Sequence, residues 1–295
     1  MSSIAATFVT FNCDFLDYCI EGAIRSALNF VDEVVVNDGM STDDTFDILL
    51  SLQKEFGKDV IKLYRRKWVH DRSWQERERN FAIDHTSCDW VLIQDADEMF
   101  HEKDAELIKK VTSDDRINLI NFEVLHFYGL PFFTNPNPQW YHRHTRMGRK
   151  KVGFCIKNTP GGCVSDVCAY GHPCHTYAGS DIIHLPKTSP IYHYGWIRSA
   201  DVAGIKLNKF RAWYNNDEKY FDGFLDTKVP FDYQILKYIN NLDLFIGSHP
   251  APFYKWYASK NRLIKYDPKI DTPVSYKASP LAVGMDFGFD KEETC

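Results

Sequence analysis

The sequence predicts an α/β fold: a mostly parallel central sheet with helices on both faces, followed by an irregular and helical C-terminal extension. Three observations lead there. Strand-like and helix-like patterns alternate through roughly the first 128 residues. Polar residues able to bind ligands, Asn12, Asp38 and Asp97, fall at the predicted carboxyl ends of strands, where such sheets bind ligands. From Pro131 the pattern breaks down.

The elements follow in order. Ala5 to Phe11 reads as a strand. Leu16 to Phe30 carries Ile20, Ala23, Ile24, Ala27 and Leu28 on one helical face. Glu33 to Val36 is a short β-branched strand that stops at Asn37-Asp38-Gly39. Ser41 or Thr42 caps the next helix, Asp43 and Asp44 sit in its first turn, and Phe46, Leu49, Leu50 and Leu52 form its buried side. Val60 to Tyr64 is the third strand, Trp74 to His85 a charged helix and Trp90 to Gln94 the fourth strand. Asp104 to Val111 reads as a helix and Leu119 to Phe127 as a fifth strand. Residues 1–128 thus form one α/β half, 129–199 complete its domain, and 200–295 form a helical extension.

Within the second part, Pro131, Pro136 and Pro138 punctuate a loop, and His142 to Arg149 is basic. Cys155 to Asp181 is an irregular stretch rich in Gly, Cys and His. Ala200 to Tyr214 and Phe231 to Phe245 read as helices, and the tail from Tyr266 carries several prolines.

Composition excludes several classes. The 295 residues are 44% hydrophobic and 25% charged, ample for a core. A formal net charge of -5 argues against nucleic acid as a partner. The N-terminus lacks the basic start of a signal peptide, and no apolar run reaches the length of a membrane span, so the expectation is a soluble, cytoplasmic protein. The eight cysteines include four within twenty residues, Cys155, Cys163, Cys168 and Cys174, near His172 and His175. Their irregular spacing, without a CxxC pair, favours free thiols in a reducing compartment over a zinc site.

The most informative local feature is Asp95-Ala96-Asp97-Glu98, directly after the apolar run Trp90-Val91-Leu92-Ile93. Strand alternation points Asp95 and Asp97 the same way. Adjacent carboxylates raise each other's pKa unless a cation lies between them. An oxygen-preferring divalent ion satisfies both and leaves positions for phosphate oxygens. The alternative is a solvated acidic turn.

Four segments carry a family resemblance. Val9-Thr10-Phe11-Asn12 looks like the strand end of a nucleotide pocket, and Val34 to Thr45 is similar to a VVVDDGSTDGT stretch. Arg77 to Ala82 looks like an ARN-x-A helix, and Asp95-Ala96-Asp97 matches a DxD motif. In this order they resemble the family 2 glycosyltransferases, nucleotide-sugar-dependent enzymes of the Rossmann-like GT-A fold. The resemblance covers residues 4 to 128, and His193 to Arg198 and Phe245 to Pro250 are similar to HYGW-x-R and F-x-G-x-HP segments of one branch. Two residues depart from the pattern: Asn37 stands where the family usually has Asp, and Met40 interrupts Gly-Ser.

The resemblance implies roles. Asp38 accepts from a pyrimidine N–H, which favours a UDP-linked donor. Thr10 and Phe11 flank the base, Asn12 belongs to the same nucleotide pocket, and Arg79 lies near the base or the diphosphate. Asp95 helps hold the ribose and the metal, Mn2+ or Mg2+. Asp97 is the direct ligand, His193 a third ligand with His184 as substitute, and Glu98 an outer-shell group. Arg198 and Lys206 clamp the diphosphate. An inverting transfer also needs a general base; Asp166 is the first candidate and Asp181 its rival. Aromatic residues of the second half, Trp140, Tyr141, Tyr170, Tyr177, Trp196, Trp213 and Trp256, are divided between core and an acceptor groove.

The expected activity is metal-dependent transfer of a hexose-like sugar from a nucleoside diphosphate to a glycan or other hydroxyl acceptor. Two alternatives stand beside it: a nucleotidyltransferase that makes nucleotide sugars, and a noncatalytic sugar-nucleotide-binding module. The first uses a glycine-rich loop after its first strand, and Thr10 to Phe15 contains no glycine. Dehydrogenase and P-loop readings lack GxGxxG and GxxxxGK[ST].

Overall fold

The computed structural model describes residues 2–69, 73–136, 143–156, 181–206 and 242–259, and residues 167–168 for the backbone alone. The first half alternates as β1 (Ile4–Thr10), α1 (Ile20–Ala27), β2 (Glu33–Asp38), α2 (Thr45–Phe56), β3 (Ile61–Arg65), α3 (Trp74–Asp84) and β4 (Trp90–Ile93). There follow β5 (Glu98–Met99), α4 (Ala105–Thr112), β6 (Leu119–Tyr128), β7 (Leu130–Thr134), β8 (Arg143–Arg149), β9 (Cys155–Ile156) and β10 (Val167–Cys168). Then come β11 (Ile182–His184), β12 (Ile191–Trp196), helix α5 (200–206), β13 (Asp243–Leu244) and α6 (Ala251–Ser259). Contacts group Met1–Tyr257 into one compact unit.

The main sheet runs β13-β7-β6-β8-β4-β1-β2-β3. Strands β4, β1, β2 and β3 are parallel, as the βαβ alternation requires. Strand β8 enters antiparallel between β4 and β6, so the sheet is mixed, with its parallel part at β4, β1, β2 and β3. The segment reads as basic because Arg146 and Arg149 are buried by polar pairing, not by an apolar pattern. Arg149 donates from Nε to the Ile117 carbonyl at 2.8 Å and lies 4.7 Å over the Trp90 ring.

Strand alternation sends Trp90 and Leu92 to one face, with Ile4, Ala6, Phe8, Val34 and Val36, under α1, α2 and α4. Val91 and Ile93 point to the other face, with Ile83 of α3, Phe154 and Ile156. Leu50 is exposed rather than part of the buried side of α2. Helix α2 starts at Thr45, whose N–H is taken by Asp43 at 3.0 Å, because the Ser41 hydroxyl is committed elsewhere. The chain from Leu16 to Tyr18 is a turn rather than helix, with Asn12 and Asp17 in the left-handed region. Helix α5 is described as far as 206, and the helix expected over 231–245 falls mostly outside the described residues, with β13 at its end.

A third cluster gathers Met99, Phe127, Tyr192, Tyr194, Phe253 and Trp256. His249 anchors it: its Nδ1 is 2.8 Å from the Tyr194 hydroxyl, and its ring stacks on Phe253 at 4.2 Å. Burial pushes the His249 pKa down to about 4, so the ring is neutral at pH 7.

Asn37 has a structural reason. Its side-chain amide is fully buried and donates to the Glu78 carbonyl at 3.0 Å and to Glu78 Oε2 at 3.1 Å. Glu78 is itself buried. An aspartate at 37 would lose both donations and set two buried carboxylates side by side. Asn37→Asp is therefore expected to cost about 2–4 kcal/mol in urea unfolding at pH 7. Adding Glu78→Gln, which supplies a donor, restores much of that loss. An Asn37→Asp variant as stable as the parent contradicts this account.

Candidate active site

Two loops at the carboxyl ends of β1 and β2 are joined side chain to backbone. The Asn12 N–H donates to Ser41 Oγ at 2.9 Å, and Asn12 Oδ1 accepts from the Thr42 N–H at 2.8 Å. The Asp14 N–H donates to Thr45 Oγ1 at 3.0 Å and the Phe15 N–H to Asp43 Oδ2 at 2.8 Å. Asp38 organises this junction. Its Oδ1 accepts from Thr10 Oγ1 at 3.1 Å and Ser41 Oγ at 2.5 Å, and its Oδ2 accepts from the Ser41 N–H at 2.9 Å. Arg65 Nε lies 3.6 Å from Oδ2. Asp38 and Thr10 are fully buried and already bonded to each other. Phe11 is half-buried, its ring 6.2 Å from that of Trp68.

The acidic segment is presented by a turn, not by strand alternation. Strand β4 ends at Ile93, and the Glu98 N–H donates to the Asp95 carbonyl at 3.1 Å. Asp95 and Asp97 consequently have different partners. Asp95 is bound by Arg79 through Oδ1 and by Arg146 through Oδ2 at 2.9 Å. Arg146 also reaches Glu98 Oε1 at 2.5 Å. Burial alone would raise the Asp95 pKa, but Arg79 and Arg146 outweigh it and hold the carboxylate well below its usual range. Glu98 lies the other way: burial raises its pKa against the pull of Arg146.

Asp97 Oδ2 is the meeting point. Lys206 Nζ lies 3.1 Å away, His193 Nε2 3.6 Å and Arg198 Nη2 3.6 Å. Burial opposes ionisation of Asp97, yet Lys206 and His193 overcome it, and its pKa falls well below the usual value. Lys206 also donates to the Gly195 carbonyl at 3.0 Å, and burial lowers its pKa to about 8, with Arg198 adding to the effect and Asp97 opposing it. Arg198 donates to the Leu16 carbonyl at 2.6 Å and stacks 4.5 Å over Tyr18.

Strand pairing creates this convergence. Strand β12 pairs antiparallel with β5, setting His193 against Glu98, and parallel with β6, setting His193 against His126. The Tyr194 N–H donates to the Asp97 carbonyl at 2.7 Å, and His193 Nδ1 lies 2.9 Å from His126 Nδ1. Gly195 leaves the necessary space. A Cβ there would lie 2.5 Å from His193 Nε2 and 2.8 Å from Asp97 Oδ2.

A divalent cation fits this cradle in part. Metal bonds of about 2.0–2.2 Å suit two ligand atoms separated like Asp97 Oδ2 and His193 Nε2. Guanidinium groups hold both Asp95 oxygens, and Lys206 and Arg198 face Asp97 Oδ2. Among the described residues no three His, Cys, Asp or Glu side chains form a metal-ligand group. His184 pairs with Asn121, away from the cluster, and is exposed.

Asp181 is not brought to this site. Its carbonyl accepts from the Asn118 and Leu119 N–H groups and its Oδ2 from Asn118 Nδ2 at 3.2 Å, at the amino end of β6. Since β6 runs parallel to β4 across β8, that is the opposite edge of the sheet from Asp97. Asp166 and most of the Cys/His stretch, including Cys163, His172, Cys174 and His175, lie outside the described residues. Among the described residues Cys13, Cys19, Cys88 and Cys155 form no disulfide with one another.

The sequence reading did not single out His126, Arg146 or Gly195. His126 is a lone ring nitrogen pair between Leu125 and Phe127 in a strand with an apolar face, a signal that was available. Arg146 in a basic segment carried none.

A family model described as glycosyl transferase family 2 matches residues 7–170. The chain belongs to glycosyl transferase family 2. It is 29% identical over 147 residues to the SPbeta prophage-derived glycosyltransferase SunS of Bacillus subtilis, covering 48% of this chain and 31% of that protein. The chain thus spans about a third of the length of that curated relative. An uncharacterized glycosyltransferase of Rickettsia felis is 24% identical over 242 residues, 71% of this chain and 80% of the relative. Among solved structures, S. aureus TarS 1–349 in complex with UDP-GlcNAc gives a TM-score of 0.44 at 15% identity, covering 73% of this chain and 67% of that one. The mannosyltransferase PcManGT of Pyrobaculum calidifontis, in complex with GDP-Man and Mn2+, gives 0.46 at 15% identity, covering 88% and 69%. Among the described residues, no helix of this family member is long and apolar enough to cross a membrane.

Gly195→Ala tests the cradle. The added methyl group has to displace the His193 ring from Asp97. The variant is expected to keep its fold by circular dichroism and to lose at least about 100-fold in glycosyl transfer, the scale of a misplaced site. Transfer at the parent rate contradicts the assigned geometry.

Proposed function

We propose that this chain is a glycosyltransferase that moves a sugar from a nucleoside diphosphate to an acceptor hydroxyl with inversion. One observation carries the reading: Lys206, Arg198 and His193 gather within 3.6 Å of the Asp97 carboxylate, at the carboxyl end of β4 and beside the joined β1 and β2 loops. Family membership supports the same reading.

In this scheme the β1 and β2 loops hold the nucleoside, and Asp38 keeps them in shape by binding Thr10 and Ser41. With its carboxylate so occupied, Asp38 meets a base N–H only by exchanging one of these bonds. A UDP-linked sugar is the first donor to test. Lys206 and Arg198 receive the diphosphate, and Arg79 holds Asp95 beside it. Asp97 and His193 would hold Mn2+ or Mg2+, which supplies charge neutralisation on the departing nucleoside diphosphate. The acceptor oxygen attacks the anomeric carbon as the bond to the diphosphate breaks, and a general base takes the acceptor proton. Asp166 is the proposed base. Asp181, on the opposite sheet edge, is not.

A panel of UDP- and GDP-sugars, scored for nucleotide release with and without Mn2+, tests the reading. Asp97→Asn is expected to lower release by about 100-fold or more on the best donor, and Asp166→Asn to stop transfer while sparing donor binding. No release from any donor, or unchanged release by Asp97→Asn, overturns the assignment.

A further inference from the structure

The His126–His193 contact carries a consequence for cation binding at the proposed donor site. The two rings are 4.8 Å apart at 79°, and their Nδ1 atoms are 2.9 Å apart. A hydrogen bond between two imidazole nitrogens needs one N–H and one lone pair. With the proton on His126, His193 accepts at Nδ1 and, as a neutral ring, carries its own proton on Nε2, facing Asp97 Oδ2. With the proton on His193 Nδ1, its Nε2 presents a bare lone pair toward that carboxylate oxygen, 3.6 Å away. Two electron-rich atoms facing each other at that distance define a place for a cation. The first arrangement closes this place and the second opens it.

Strand pairing leaves His193 little other choice of hydrogen-bond geometry. Its backbone is held between Glu98 of β5 and His126 of β6, and the space beside its ring is available only because residue 195 is glycine. His126 is buried at 8% exposure, so its ring nitrogen faces a partner inside the protein. Ring nitrogens that bind metals are commonly fixed by such a hydrogen bond at the second nitrogen.

We propose that His126 is a positioning residue for the donor-site cation: it accepts the Nδ1 proton of His193 and thereby commits His193 Nε2, together with Asp97, to a divalent metal. This rests on the donor-site reading above. His126 itself touches neither cation nor sugar nucleotide.

The experiment uses the full chain with UDP present and Mn2+ as the probe, titrated by calorimetry and electron paramagnetic resonance. His193→Ala and Asp97→Asn establish whether Mn2+ binds at this pair. His126→Phe keeps a ring and removes the acceptor; it is expected to weaken Mn2+ binding about 10–100-fold and to raise the Mn2+ needed for half-maximal activity, with kcat near the parent value at saturating metal. His126→Gln, whose carbonyl can accept the same proton, is expected to recover most of the affinity. Independently of any variant, nitrogen-15 shifts of His193 in the parent protein with Mg2+ and UDP should show a protonated Nδ1 and an unprotonated Nε2. If Mn2+ binds the parent but neither His193→Ala nor Asp97→Asn weakens it, the donor-site reading fails. If those two variants weaken it and His126→Phe does not, or if His193 carries its proton on Nε2 with Mg2+ bound, the role of His126 is wrong while the donor site stands.

Discussion

The site depends on the double pairing of β12. One short strand runs antiparallel to β5 and parallel to β6, and so fixes residues far apart in sequence at one point. Asp97 comes from the turn after β4, His193 and Gly195 from β12, Lys206 from the helix that follows, and His126 from β6. Backbone pairing sets Asp97, His193 and His126 against one another. The Tyr194 N–H to the Asp97 carbonyl, at 2.7 Å, ties the acidic turn directly to this strand.

Electrostatics then divides the acidic segment. Asp95 and Glu98 share Arg146, and Asp95 also holds Arg79; Asp97 faces Lys206 and Arg198. Three carboxylates therefore meet four cations at the carboxyl ends of the strands. Buried ion pairs of this kind contribute little net stability, because desolvation offsets the attraction. Their concentration at one sheet edge fits a place where a polyanionic ligand is received. At the opposite edge, where Asp181 binds Asn118, the ion pairs Arg116–Asp114 and Arg149–Asp115 each include a largely exposed residue.

Much of the fold was legible because periodicity reports burial. The alternation from β1 to β4 and the face of α1 followed from apolar spacing, and the edge where the polar cluster gathers followed from the topology. Strand β8 was not legible, since Arg146 and Arg149 are buried by pairing rather than by hydrophobicity. Nor was the two-residue β5, too short to leave a pattern. Asp97, His193, Arg198 and Lys206 could be named from motifs, and the structure brings them together. The division between Asp95 and Asp97 could not, because it depends on a turn that strand alternation does not describe. Asn37 looked like an exception to a motif and is explained by Glu78, a residue 41 positions away that no local pattern links to it.

The central claim is that the Asp97–His193 pair and the adjacent Lys206 and Arg198 form the receiving point for a nucleoside diphosphate. A crystal structure with UDP and Mn2+, with anomalous scattering to locate the metal, tests it most directly. The account predicts a metal peak between Asp97 Oδ2 and His193 Nε2, with the diphosphate against Lys206 and Arg198. A diphosphate bound elsewhere, with this cluster unchanged from its present ion pairs, would contradict it.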